Sequence, residues 1–141
     1  MPRAFGLKSK LQFTYVLDID AAVGKNCTNR PEDVRLVQYL LAVWLAHEKD
    51  TQKLVSLLRE SQPMVVDGTF GKNSIAVLEV FENFHQPTVK KDGRVDPLFT
   101  SLGAKKMFLL NQILFFAGGP RGGVPETRVP FPQSLINHLY R

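Results

Sequence analysis

The sequence predicts a mainly α fold: a small orthogonal core of three to four helices with two Asp-Gly turns, flanked by an N-terminal β arm and a C-terminal Gly/Pro-rich arm. Three observations predict it. Apolar residues recur at helical spacing in four separate segments. An Asp-Gly turn occurs twice, 25 residues apart. Residues 117–132 hold four glycines and four prolines, a density that no packed element tolerates. The expected organisation is therefore an arm over 1–22, a helical domain over 23–116 and an arm over 117–141.

Along residues 10–18, Leu11, Phe13, Tyr15 and Leu17 alternate with Gln12, Thr14 and Val16, the signature of a half-buried strand. A strand needs backbone partners, and the other extended apolar stretches are 64–66 and 127–131. Either the two termini pair, or the strand adds to another chain, so the arms imply an oligomer or obligate complex. Thr28-Asn29-Arg30-Pro31-Glu32-Asp33 reads as a helix start, with Asn or Thr as cap, Pro in the first turn and acids facing the positive end of the dipole. The helix runs to about His47 and buries Val34, Val37, Leu41, Trp44 and Leu45. A shorter helix over 50–60 turns Leu54, Leu57 and Leu58 inward and ends before Pro63. A third, over 73–86, buries Ile75, Leu78, Phe81 and Phe84 or His85, leaving Glu79 and Glu82 on its solvated side. A fourth covers 98–116 with Leu102, Met107, Leu110, Ile113 and Leu114 as core positions.

The two turns share one design. In Val66-Asp67-Gly68-Thr69-Phe70-Gly71 and Lys91-Asp92-Gly93-Arg94-Val95-Asp96, glycine permits a positive φ, aspartate bonds nearby backbone amides and an apolar residue folds back into the core.

On these residues the chain resembles the peptidoglycan-binding-domain-like family, a small three-helix fold often appended to cell-wall hydrolases. The resemblance rests on Arg30-Pro31-Glu32-Asp33-Val34 leading to Val37-Gln38-Tyr39-Leu40-Leu41, on Asp67-Gly68-Thr69-Phe70-Gly71 with Ser74, on Val77 to Phe81, and on Asp92-Gly93-Arg94-Val95-Asp96-Pro97. Val23-Gly24-Lys25-Asn26 and the segment from Asn29 to Val34 are similar to a subgroup found in secretion-associated and phage-like bacterial proteins. The resemblance spans about residues 23–115. It departs at Phe81-Glu82, where the family has Phe-Gln, and in the inserted residues 50–62.

The resemblance implies a non-catalytic module that binds peptidoglycan glycan. The alternative it implies is a structural or interaction protein that uses the fold as a docking platform in a secretion or phage-like assembly. Gln38, Tyr39, Asp67, Phe70 and Asp92 supply planar, amide and carboxylate groups of the kind that line sugar grooves, although Phe70 also reads as a core plug and both aspartates as turn braces. No catalytic or metal-ligating residue is assigned, and no cofactor. Cys27 is the single cysteine, and His47, His85 and His138 stand apart from one another, without the spacing of a metal site.

The net charge of +5 sits on the flanks: +2 over 1–35, −1 over 36–102 and +4 over 103–141. The basic residues are scattered apart from the pairs Lys90-Lys91 and Lys105-Lys106, which argues against nucleic acid as a partner. No apolar run approaches the ~20 residues of a membrane span. The N-terminus lacks the apolar stretch of a secretory signal. Synthesis in the cytoplasm, followed by delivery to the periplasm or envelope through a secretion or phage-type route, is the expectation.

Overall fold

The computed structural model describes residues 3–6, 15–58, 64–98 and 105–117. Within them the chain is mainly helical, with four helices and two short antiparallel strand pairs. Strands β1 (Arg3–Gly6) and β2 (Tyr15–Asp18) pair with Arg3 opposite Asp18 and Gly6 opposite Tyr15. Strand β3 (Val23–Gly24) precedes helices α1 (Pro31–His47), α2 (Thr51–Leu57) and α3 (Lys72–Phe84). Strand β4 (Arg94–Val95) pairs back onto β3, and α4 (Lys105–Phe116) follows.

Helix α1 is the central element, packed by α3, α4 and β3. Its apolar residues cover more than one stripe: Val34, Leu36, Val37, Tyr39, Leu40, Leu41, Val43 and Trp44 are all buried. Each such side chain contributes roughly 1.5–3 kcal/mol when removed from water, so this helix supplies the largest share of the core. Helix α2 leans on α3 through Leu54, with Leu57 and Leu58 half-buried. Helix α3 buries Val77, Leu78, Phe81 and Phe84, while His85 lies just past its end. Met107, Leu110 and Leu114 of α4 close the far side.

Several sequence expectations need correction. The cap of α1 is neither Asn29 nor Thr28; Arg30 holds that position and makes no side-chain cap. Asn29 sits at φ +51 and clasps Gly24 instead, accepting from its N–H at 2.8 Å and donating to its carbonyl at 2.9 Å. Asp33, in the first turn of α1, accepts from the N–H groups of Asp20 and Ala21, both at 3.2 Å. The side chains around the helix start thus stitch the preceding loop to it. Leu45 and Ile75 are half-buried rather than fully buried.

The strand at β2 finds its partner in Arg3–Gly6, a stretch that apolar alternation does not mark, and 64–66 form no strand. Pairing across a short connection costs little loop-closure entropy, which favours this partner over a distant one. On β2, Leu17 donates to Asn111 Oδ1 at 2.7 Å and its carbonyl accepts from Asn111 Nδ2 at 2.9 Å. An α4 amide therefore serves Leu17 as a neighbouring strand would. Leu17, Asp18 and Ile19 are fully buried, and Asp18 accepts from the N–H of Ile19 and of Leu98. Fully buried core residues thus lie at Leu17 and Ile19, inside the segment whose composition reads as an arm. The expected strand residues 10–14, the start of the fourth helix at 99–104 and the arm beyond Ala117 lie outside the described residues.

Candidate functional site

The two Asp-Gly turns are built on the same hydrogen-bond plan. In the first, Gln38 of α1 is 1% exposed and faces the turn. Its Oε1 accepts from the N–H of Asp67 at 3.0 Å and of Gly68 at 2.9 Å. Its Nε2 reaches Asp67 Oδ1 at 3.1 Å, the Thr69 carbonyl at 2.9 Å and Ser74 Oγ at 2.9 Å. Asp67 Oδ1 also accepts from the Thr69 N–H at 2.9 Å. The amide satisfies both sides of the turn at once, and Gly68, at φ +82, supplies the left-handed residue it needs. The Thr69 N–H and Gln38 hold the Asp67 carboxyl below its ordinary range.

In the second turn Glu82 of α3 takes the position of Gln38. It is 1% exposed, and its Oε2 accepts from the N–H of Asp92 at 3.0 Å and of Gly93 at 2.8 Å. A carboxylate has no donor to complete the plan, and Lys106 of α4 provides it. Lys106 Nζ donates to Glu82 Oε2 at 2.6 Å, to the Arg94 carbonyl at 2.7 Å and to Asp92 Oδ1. Asp92 Oδ1 accepts from the Arg94 N–H at 3.1 Å, as Asp67 does from Thr69, and Gly93 sits at φ +72. Burial pushes the Asp92 carboxyl upward, but the Lys106 ammonium and the Arg94 N–H outweigh it, and the net direction is down. An uncharged amide in one turn is replaced by a buried Glu–Lys pair in the other.

Glu82 is thus a structural centre and does not lie on a solvated face. Of the five residues assigned to ligand contact, Gln38 is the brace of the first turn and Tyr39 is wholly buried in the core. Phe70 is half-buried against the core, and Asp67 and Asp92 are each engaged with their own turn. They do not converge on one surface: Gln38, Asp67 and Phe70 gather at the first turn, Asp92 lies at the second, and Tyr39 faces inward. Sequence reasoning missed Glu82 and Lys106. The signal that finds them is the repeat itself, because an acid standing where the first turn uses an amide demands a cation nearby.

Concavities among the described residues lie beside these elements. A pocket of about 260 Å3 lies beside the second turn, lined by Lys25, Ile75, Glu79, Glu82, Lys91, Asp92 and Gly93. Lys91 and Glu79 face each other there at 3.8 Å. The stem of Lys25 passes over Gly93, where a side chain at Gly93 would meet its Cδ at 3.5 Å. A second groove of about 350 Å3 runs between the ends of α1 and α4, walled by Trp44, His47, Ile113 and Phe116. Phe116 is 67% exposed. Behind it, Trp44 packs edge-on to Phe81 and Phe84, with ring centroids 5.1 and 5.4 Å away, and donates through Nε1 to Glu48. Among the described residues no helix is long and apolar enough to cross a membrane. No protein-family model, curated protein or solved structure matches this chain.

Proposed function

We propose that this chain is a non-catalytic module that binds the glycan of bacterial peptidoglycan. The observation that carries the reading is the pocket beside the second turn: it is small, lined by hydrogen-bonding groups of both signs, and framed by a turn fixed from beneath by Glu82 and Lys106. Sugars are recognised by groups of this kind held in fixed geometry, because each hydroxyl needs a directed partner to replace water. The resemblance of the two turns and their preceding helices to cell-wall-binding domains supplies the polymer. Delivery to the envelope by a secretion or phage-type route belongs to the same proposal.

Sedimentation with insoluble peptidoglycan tests it. The full chain is expected in the pellet at low salt and, in smaller part, at about 0.5 M salt, where surface charge is screened to a Debye length of a few ångströms. Protein that stays in the supernatant at low salt ends this reading.

A second reading, a docking platform within a larger assembly, has its own support. The exposed Phe116 beside the groove between α1 and α4 is the kind of aromatic that anchors a protein partner.

A further inference from the structure

Among the described residues, one oxygen of the buried Glu82 carboxylate accepts no hydrogen bond. Oε2 takes both turn amides and the Lys106 ammonium. Oε1 accepts no hydrogen bond from any described residue, although the Glu82 side chain is 2% exposed and lines the pocket. A buried carboxylate oxygen without a donor costs free energy that a bound donor would recover. We propose that this pocket is a subsite for a single neutral sugar ring bearing hydroxyl and N-acyl groups, with Glu82 Oε1 accepting a hydrogen bond from the ligand. The proposal rests on the glycan-binding reading and gives it an atom, a ring and a charge state.

The charge state follows from the lining. Glu79, Glu82 and Asp92 contribute three carboxylates, and Lys25, Lys91 and Lys106 contribute three ammonium groups in or directly behind the pocket. A divalent cation needs an excess of carboxylate oxygens, and a phosphate needs an excess of cations. A balanced set suits an uncharged ligand that offers donors and acceptors together. The size follows as well. At about 260 Å3 the pocket falls below the ~300–1,000 Å3 of sites that enclose drug-sized ligands, so one ring fits and a chain of rings does not. Ile75, half-buried in the wall, gives the apolar face or N-acyl methyl of such a ring a surface to lie on.

The test is an NMR titration of the isotope-labelled full chain with three probes: N-acetylglucosamine, which is neutral, glucosamine, which is cationic, and N-acetylmuramic acid, which is anionic. Saturable shifts of the Lys25, Asp92 and Gly93 amides with N-acetylglucosamine, at least tenfold tighter than with glucosamine, support the pocket. Glu82→Gln keeps an acceptor for the turn amides, as Gln38 does in the first turn, but puts an N–H donor where Oε1 was; affinity should fall about tenfold, the loss of roughly one hydrogen bond to a charged group. Ile75→Trp fills the space without touching the polar network and should abolish the shifts. Shifts that survive both substitutions, shifts confined to other regions, or a preference for either charged sugar overturn the proposal. Peptidoglycan sedimentation of the same Ile75→Trp variant separates the two readings. Pelleting that persists in a variant with no titration removes the pocket and leaves wall binding standing. Titration in wild-type protein that never pellets supports the pocket and removes wall binding.

Discussion

At the scale of single residues, the side chains that matter most are polar groups committed inward. His85 is one. It is half-buried against the rings of Phe81, Phe84 and Trp44, with centroids 4.4, 4.8 and 5.4 Å away, and its Nδ1 lies 3.0 Å from the Phe81 carbonyl. That contact needs Nδ1 to carry the proton of a neutral ring or of an imidazolium. Burial disfavours the imidazolium; the carbonyl and Glu48 favour it and Lys53 opposes it, and burial prevails, so the pKa is lowered from 6.5. The unfolded chain then binds the proton more readily than the folded one. Stability is full above pH 6.5 and declines as the pH falls from 6.5 toward the lower folded value. Denaturant midpoints measured between pH 8 and pH 5 should show this decline, and His85→Phe should flatten it. A slope that is unchanged in the variant would assign the effect to other groups.

At the scale of elements, the two braced turns invite an exchange. Replacing Lys106 by Met leaves the buried Glu82 carboxylate without its cation beside the exposed Asp92, at a cost of about 3–5 kcal/mol for a broken buried pair. Replacing Glu82 by Gln in the same chain should recover most of that loss, because it removes the buried charge that Lys106 balanced while the amide oxygen still accepts from Asp92 and Gly93, as Gln38 accepts from Asp67 and Gly68. Urea denaturation of both single variants and the double variant measures the coupling; additive losses would show that the two braces are not equivalent.

These same turns mark what the sequence made legible. The four helices follow from apolar spacing, and α1 ends where its periodicity does, at His47. The positive φ values of Gly68 and Gly93 follow from the Asp-Gly pairs. The partners of those turns do not follow from local pattern, since Glu82 and Lys106 are separated by 24 residues and each alone reads as a solvated charge. Burial of a charge is decided by what the tertiary fold brings opposite it, and no period in the chain carries that information. Asn111 is the same case: an amide inside an apolar helix, whose purpose is visible only when β2 lies against it.

At the scale of the whole molecule, the N-terminal segment is a structural member. A terminal arm that merely reaches for a neighbour could be removed without cost to the domain that carries it. Here removal of residues 1–20 takes away Leu17 and Ile19, both fully buried among the residues of the core. Each contributes roughly 1.5–3 kcal/mol of transfer free energy. It also takes the Leu17 backbone partners from Asn111, whose Nδ2 keeps the Met107 carbonyl, and leaves the half-buried Leu98 N–H without the Asp18 carboxylate. Each orphaned buried group costs about a further 1–3 kcal/mol. The total is comparable to the ~5–15 kcal/mol that holds a domain of this size together. The truncated chain should therefore lose cooperative unfolding by circular dichroism rather than become a well-folded monomer. Truncation after residue 14 spares Leu17, Asp18 and Ile19 and, among the described residues, removes the β1 strand. It should keep the helical transition at a lower midpoint. If the 1–20 deletion melts like the full chain, the segment is an arm after all, and light scattering on the two chains then becomes the measure of whether it joins subunits.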